Sequence, residues 1–268
     1  MKLCTFTHGA RTRIGVLRGD QIIDLSAAAP ELPTEMVAFL EAGDAALEAA
    51  RNATGHTLQL ASVHLEAPVL RPPKILAVGL NYADHIAETG MDTPEFPMIF
   101  NKQSTSAHPP GEPFHLPRVS TKLDYEGELG FVIGKRCRHV PREQASEVIA
   151  GYTVVNDVTV RDWQARVPTM TMGKSFDTHC PMGPFLVTSD EVPDPHSLDL
   201  KTWVNGELRQ HSNTKHLIFD CFTLVEHLST AFTLEPGDVV ATGTSSGVGI
   251  GFRPRKWLVE GDVVRIAI

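Results

Sequence analysis

The chain has 268 residues, of which 42% are hydrophobic, and its acidic side chains outnumber the basic ones to give a formal net charge of -8. This length and composition predict a packed globular protein, and dispersed negative charge disfavours binding to nucleic acid or to an anionic membrane surface. Four scattered cysteines without a Cys-x-x-Cys pair indicate free thiols in a reducing compartment, and no apolar run is long enough to span a bilayer. We therefore expect a cytoplasmic protein without nucleic-acid or membrane partners.

The N-terminal quarter predicts a small α/β unit. Three short β-rich runs, CTFT, RIGVLRG and QIIDL, are separated by turns that contain glycine, which is typical of an antiparallel sheet. A helix is predicted over residues 34–50, with Thr34 as its N-cap and Gly43 weakening its middle. Three prolines within residues 68–73 then interrupt regular structure, so we predict one domain over residues 1–70 and a second over residues 71–268.

The second domain is predicted to be mainly β. Its strand candidates are bounded by Gly, Pro and Asp turns and read KILAVGL, PMIFNK, ELGFVIG, YTVVND, GPFLVT, DVVATGT and DVVRIAI. Asn205-Gly206 predicts a type I′ hairpin between LKTWV and ELRQ. The main helices are predicted at residues 141–150 and 220–232. Because strands and helices do not alternate regularly, the sequence favours a mainly β, α+β fold over a doubly wound parallel sheet.

Three acidic residues are candidate metal ligands. In YEGELG, the period of a strand sends Glu126 and Glu128 to one face, and burying two like charges there requires a cation or raised pKa values. Asp157 follows an apolar run at a predicted strand end, where it either enters a cleft or caps a turn. Oxygen ligands without His or Cys favour Mg²⁺ or Mn²⁺ over zinc. A solvated strand face is the alternative interpretation of the two glutamates.

Other polar residues suggest catalytic chemistry. His85 and Glu88 lie three residues apart on a predicted helix, so the carboxylate can orient the imidazole as a general base for water, although surface pairs show the same spacing. Lys174, in MGKSF, is either an exposed cation or a group that stabilises an oxyanion. The run TGTSSGVGIG either forms a nest of backbone N–H groups for a carboxylate or phosphate, or makes a plain wide turn.

Taken in order, the motifs LNYADHIAE, YEGELG, YTVVNDVTVRDWQ, GKSF and ATGTSSGVG resemble the fumarylacetoacetate hydrolase family, from about Lys74 to the end of the chain. The resemblance implies that family's mixed β-sandwich roll with a small N-terminal α/β domain, usually as a homodimer. It also implies a Mg²⁺ or Mn²⁺ ion, or Ca²⁺ in some members. The roles it implies are metal binding by Glu126, Glu128 and Asp157, a catalytic dyad in a lid for His85 and Glu88, a place near the metal for Lys174, and substrate binding by Gln164 and Thr244.

The resemblance further implies an enzyme that acts on a small 2-oxo acid. We favour hydrolysis of a C–C bond in an acylpyruvate-type 2,4-dioxo acid through a metal-bound enolate, because His85 and Glu88 supply the base that activation of water requires. Decarboxylation of oxaloacetate, or isomerisation or tautomerisation of a 2-oxo diacid, is the alternative on the same site. A non-catalytic protein that binds carboxylates or nucleotides through the Gly-rich run is a third interpretation.

Overall fold

The structure is a computed structural model that describes residues 1–90 and 92–268. Strands dominate it, which confirms the mainly β class. They are β1 (Lys2–His8), β2 (Arg11–Arg18), β3 (Gln21–Asp24), β4 (Thr57–Gln59), β5 (His64–Leu65), β6 (Ile75–Gly79), β7 (Met98–Lys102), β8 (Ala107–His108), β9 (Leu123–Asp124), β10 (Gly127–Ile133), β11 (Ile149–Asn156), β12 (Thr159–Val160), β13 (Cys180–Thr188), β14 (Asp199–Val204), β15 (Glu207–Asn213), β16 (Val239–Ala241) and β17 (Val264–Ala267).

The α-helices are short. They are α1 (Leu25–Ala28), α2 (Met36–Glu41), α3 (Gly43–Asn52), α4 (Ala83–Thr89), α5 (Arg161–Gln164), α6 (Thr171–Lys174) and α7 (Cys221–Ala231). Helix α7 confirms the helix predicted over residues 220–232, and its N-cap Asp220 accepts a hydrogen bond of 2.8 Å from the Thr223 N–H. No helix in the described ranges is long and apolar enough to cross a membrane.

One large mixed sheet organises the fold, in the order β4-β3-β2-β1-β13-β11-β10-β16-β6-β7, with β5 beside β1 and β8 beside β13. Neighbours along this path are antiparallel except β16 and β6, which are parallel. Strand β1 pairs with β13, placing Lys2 opposite Val187, so the N-terminal strands extend the sheet of the following residues. A three-stranded sheet, β15-β14-β17, and the short pair β12-β9 complete the β structure described.

Two helix predictions differ from the structure. The helix predicted over residues 34–50 is divided into α2 and α3 because Gly43 takes a left-handed conformation with φ of 76°. Thr34 is not the N-cap; Glu35 holds that position without a side-chain hydrogen bond. The helix predicted over residues 141–150 is also wrong, since Arg142–Glu147 is a 3₁₀ segment and β11 follows at once.

The predicted hairpin at Asn205-Gly206 joins β14 to β15, and both residues have positive φ, 52° and 81°, as a type I′ turn requires. Apolar side chains pack on both faces of the large sheet. Helices α2 and α3 cover one face together with Val239, whereas α7 covers the other face together with Val240. Because the consecutive residues Val239 and Val240 pack on opposite faces of the sheet, strand β16 is buried on both sides.

Candidate active site

The ends of two paired strands bring the three acidic residues together. Gly127 at the start of β10 lies opposite Asn156 at the end of β11, so Glu126 and Asp157 continue the same ladder, and the Asp157 N–H donates to the Glu126 carbonyl over 2.9 Å. One ligand oxygen from each of Glu126, Glu128 and Asp157 lies within 4.8 Å of the others, and all three residues are buried. A Cβ at Gly127 would lie 2.2 Å from the Thr202 Oγ1, so only glycine fits between the two glutamates.

Three cations surround this cluster. Lys174 Nζ lies 2.6 Å from both Glu126 Oε2 and Asp157 Oδ2, and it is itself buried. Lys102 Nζ lies 2.7 Å from Asp157 Oδ1, but this contact does not have hydrogen-bond geometry, so no donor among the described residues bonds to this buried oxygen. Arg161 Nη1 lies 2.6 Å from Glu126 Oε1. The buried carboxylates are therefore largely compensated by charge within the protein.

Glu128 is the exception, because it has no cation in direct contact within the described residues. Its Oε2 accepts a hydrogen bond of 2.8 Å from the Gly243 N–H. Burial, together with the charges of Asp157 and Glu126, raises the pKa of Glu128 well above its ordinary value. Burial also opposes ionisation of Glu126, but Lys174 and Arg161 outweigh it and lower the pKa of Glu126 to about 2. A further positive charge beside Glu128 would relieve this asymmetry.

The donor set fits a hard divalent ion. Three carboxylates converge, one of their oxygens lacks a donor, and Glu128 has a raised pKa in the absence of a neighbouring cation. Mg²⁺ and Mn²⁺ prefer such oxygen ligands.

Burial lowers the pKa of Lys174, but Asp157 and Glu126 outweigh burial and raise it overall, so this lysine is a cation and not a proton acceptor.

Helix α4 carries the predicted dyad. His85 Nδ1 lies 3.1 Å from Glu88 Oε2, and His85 is mostly buried. Asn81, two residues before α4, is fully buried and donates to the carbonyls of Thr242 and Phe219. With Nδ1 engaged by a carboxylate, Nε2 is the imidazole nitrogen that remains for proton transfer.

The Gly-rich run binds carboxylates, but they are carboxylates of the chain itself. The Gly247 N–H donates to Glu88 Oε1 over 2.9 Å, and the Gly249 N–H donates to Asp124 Oδ1 over 2.7 Å. A Cβ at Gly247 would lie 1.9 Å from the Arg209 carbonyl oxygen, and its φ is 97°, so this turn requires glycine. The backbone N–H groups of this run therefore bind carboxylates, as one of the two interpretations expected, but these carboxylates belong to the chain, and binding of a ligand by the run stays a prediction.

A cavity of about 530 Å³ opens onto these groups and is lined by His85, Glu126, Arg161, Gln164, Lys174 and Thr244 among others. Gln164 Oε1 accepts a hydrogen bond of 3.1 Å from Arg161 Nη1. Thr244 Oγ1 donates to the Gly127 carbonyl over 2.9 Å. Five of the predicted site residues therefore line the cavity, namely His85, Glu126, Gln164, Lys174 and Thr244. Glu128 and Asp157 lie beside Glu126, and Glu88 contacts His85. A larger groove, of about 910 Å³, contains none of them and lies on residues 110–116, 181–184 and 258–266.

Sequence reasoning missed two buried cations of the site. Arg161 lies inside the motif YTVVNDVTVRDWQ, but the sequence predicts no role for it. Its Nε pairs with Asp124 over 2.8 Å, and its buried Nη2 has no hydrogen-bond partner among the residues that the structure describes. Lys102 is the last residue of β7 and is buried. Its position at the end of an apolar strand is the only sequence feature that could have suggested a role in the site. A strand-ending lysine is equally common at solvent, so its contact with Asp157 could not be read from the sequence.

The fold places three converging carboxylates beside a cavity, as in enzymes that bind a metal ion through oxygen ligands. Residues 74–268 match the family model described as fumarylacetoacetate (FAA) hydrolase C-terminal, and residues 1–68 match the model described as Rv2993c-like, N-terminal. The chain belongs to the fumarylacetoacetate hydrolase family, as its motifs indicated.

Relatives in this family differ in the reaction that their names state. The chain is 44% identical to the mitochondrial oxaloacetate tautomerase fahd2 of Xenopus laevis over 93% of this chain and 80% of the relative. The fumarylacetoacetate hydrolase of Exiguobacterium antarcticum superposes with a TM-score of 0.87 at 37% identity, covering 100% of this chain and 95% of that one. The maleylpyruvate hydrolase of Sphingobium sp. SYK-6, solved with manganese (II) and pyruvate, has a TM-score of 0.79 at 37% identity, covering 100% and 94%. Family membership therefore supports an enzyme without fixing its reaction.

Proposed function

We propose that the protein is a Mg²⁺- or Mn²⁺-dependent enzyme that hydrolyses a C–C bond in an acylpyruvate-type 2,4-dioxo acid. The observation that carries this proposal is the His85–Glu88 pair, because His85 lines the same cavity as Glu126 of the acidic cluster. Hydrolysis needs a base for water in addition to a site that binds the 2-oxo acid. The manganese and pyruvate in the Sphingobium relative support a 2-oxo acid as the ligand class.

In this proposal Glu126, Glu128 and Asp157 hold the ion. A divalent ion bound there would supply a Lewis acid for the keto group of the substrate. Arg161 lines the cavity, and its buried Nη2 has no hydrogen-bond partner among the described residues, so it is suited to bind the substrate carboxylate. Lys174, held cationic by its two carboxylate partners, offsets negative charge that develops on the substrate oxygen.

The chain's residues then account for the proton transfers. His85 Nε2 accepts a proton from water as its oxygen adds to the C4 carbonyl, while Glu88 stabilises the imidazolium through Nδ1. The C3–C4 bond breaks, its electron pair remains on the pyruvyl fragment, and C3 recovers a proton. Net addition of one water gives pyruvate and a carboxylic acid.

Tautomerisation of oxaloacetate is the second candidate, and the 44% identity to the Xenopus laevis tautomerase favours it. That reaction moves a proton between C3 and the oxygen at C2, so it needs a proton carrier but no attacking water. His85 is the cavity residue suited to carry this proton as well. Two further alternatives on this site are isomerisation of a 2-oxo diacid and decarboxylation of oxaloacetate. Loss of CO₂ in the latter reaction needs no attacking water.

Steady-state rates on acetylpyruvate and oxaloacetate, with Mg²⁺ and with Mn²⁺, separate the candidates. We expect pyruvate release from acetylpyruvate in the wild type, abolished by Glu126→Ala and reduced about 10²- to 10⁴-fold by His85→Ala. His211→Ala, at an exposed histidine outside the cavity, is the matched control and should keep the wild-type rate. Rapid keto–enol exchange of oxaloacetate without acetylpyruvate hydrolysis would replace the hydrolase proposal with the tautomerase.

A further inference from the structure

Arg166 is a charged residue of the cavity wall that the proposed function leaves without a role. The other charged or ionisable residues of the wall are paired: His85 with Glu88, and both Lys174 and Arg161 with Glu126. Arg166 lines the same cavity and forms no ion pair within residues 1–90 and 92–268. A cation without an anionic partner, next to a ligand cavity, is suited to bind an anionic group of the ligand.

An aromatic stack positions this guanidinium. Its central carbon lies 3.8 Å from the centroid of the Trp163 ring, close enough for a cation–π interaction. Trp163 in turn contacts Phe176 edge-to-face, with centroids 5.3 Å apart. Because Arg166 rests on a ring that is itself packed, less side-chain freedom is lost when it binds an anion, although the residue is exposed.

The segment that begins with α5 presents two arginines to different parts of the cavity. Arg161, at the start of α5, is buried against Glu126, whereas Arg166 follows the helix and is exposed. Apolar residues form much of the remaining wall, including Met98, Phe100, Val167 and Met170. A ligand with an anionic group at each end and an uncharged middle matches this distribution of charge.

We propose that Arg166 binds the second carboxylate of a dicarboxylic 2-oxo acid whose 2-oxo end lies at the acidic cluster, and thereby selects diacids over substrates with a neutral chain. The inference rests on the proposed function for the orientation of the ligand. It narrows the substrate class to diacids and makes Arg166 a specificity-determining residue.

Calorimetric titration of the manganese-loaded protein with two unreactive 2-oxo acids tests the proposal without depending on turnover. 2-Oxoglutarate carries a second carboxylate, and 2-oxopentanoate has a methyl group in its place. We expect the wild type to prefer 2-oxoglutarate, and Arg166→Met to reduce this preference about tenfold, the effect of losing one charge-assisted hydrogen bond. Arg166→Lys should restore part of it.

Arg265→Met is the matched control, because Arg265 is also exposed and lies 5.2 Å from the ring centroid of Trp203, away from this cavity. It removes the same net charge and should leave the preference unchanged. Equal preference of the wild type for both ligands, or an equal loss in Arg166→Met and Arg265→Met, would overturn the role of Arg166. Manganese-dependent binding of both ligands in that case would leave the proposed 2-oxo-acid function intact, whereas binding of neither would reject both.

Discussion

Replacing Glu128 with glutamine tests the electrostatic account of the acidic cluster. Burial and the neighbouring charges of Asp157 and Glu126 raise the pKa of Glu128 above its ordinary value of 4.5. At 4.8 Å, two carboxylates repel by about 3 kcal/mol with an effective dielectric constant near 20. Since two such neighbours flank Glu128, its carboxyl in the metal-free protein keeps a proton to a higher pH than a glutamate of the unfolded chain does.

The expected magnitude follows from proton linkage. Holding a proton on a carboxyl that ionises near 4.5 when unfolded costs about 1.4 kcal/mol per pH unit above that value, or ~3 kcal/mol at pH 7. The folded pKa is the higher one, so stability from this group is complete below pH 4.5 and is lost as the pH rises toward the folded pKa. Glu128→Gln should therefore stabilise the metal-free protein by up to ~3 kcal/mol, or about 6–12 °C, near pH 7, and by little at about pH 4.5.

Thermal unfolding in the presence of a chelator, followed from about pH 5 to about pH 8, measures this difference. Added Mn²⁺ should then raise the melting temperature of the wild type much more than that of Glu128→Gln, because the variant has lost a charged ligand. Glu48→Gln, at an exposed glutamate on α3, is the control and should show neither effect. A Glu128→Gln difference that is independent of pH, or full stabilisation of the variant by Mn²⁺, would refute the reasoning.

Three further predictions use other contacts. A Cβ at Gly251 would lie 2.2 Å from Glu88 Oε1, so Gly251→Ala should displace that carboxylate from its histidine and lower kcat on acylpyruvates about tenfold or more, with the melting temperature nearly unchanged. Lys102→Met should destabilise the metal-free protein by about 3 kcal/mol by removing a partner of buried Asp157, and added Mn²⁺ should restore most of this loss in thermal unfolding. Burial lowers the pKa of His179 to about 4, so the stability it contributes falls by up to ~3 kcal/mol between about pH 6.5 and about pH 4, and His179→Phe should reduce this fall in urea unfolding.

Each of these has a result that would count against it. Wild-type turnover in Gly251→Ala would show that Glu88 does not need its present position. A Lys102→Met protein that Mn²⁺ stabilises no more than the wild type would mean that the lysine and the ion do not act on the same carboxylate. An unchanged acid profile in His179→Phe would assign the loss of stability at low pH to other groups.

Much of the β structure was predictable because local chemistry and the fold agree there. Runs such as ELGFVIG and YTVVND combine β-branched and aromatic residues between turn residues, and both form strands of the large sheet. Residues 141–150 show the limit of this approach. A 3₁₀ segment that ends at Glu147 takes the place of the predicted helix, whereas Ile149 and Ala150 are buried in β11 by pairing with distant strands, which local propensity does not report.

The candidate site likewise combines residues that local sequence features predict with residues that only the fold brings together. Glu126, Glu128 and Asp157 could be proposed as a group because strand period and strand ends are local features. Of the cations that compensate them, Arg161 and Lys174 follow Asp157 within 17 positions, whereas Lys102 precedes it by 55 positions and its contact depends on how β7 is placed in the sheet. A single sequence carries no record of such a long-range contact. The sequence indicated a buried negative charge and a place for Lys174 near it, but not the contributions of Arg161 and Lys102.

The Gly-rich run explains why the dyad and the acidic cluster share one cavity. Its Gly243 N–H binds Glu128 of the cluster, and its Gly247 N–H binds Glu88 of the dyad, so the two anchoring points are four positions apart in the chain. General-base hydrolysis requires that the base and the 2-oxo-acid site be held far enough apart for one water and one carbonyl group, and close enough for proton transfer. Because one turn anchors both, the spacing is set by backbone geometry, and a residue larger than glycine at position 247 would alter it directly.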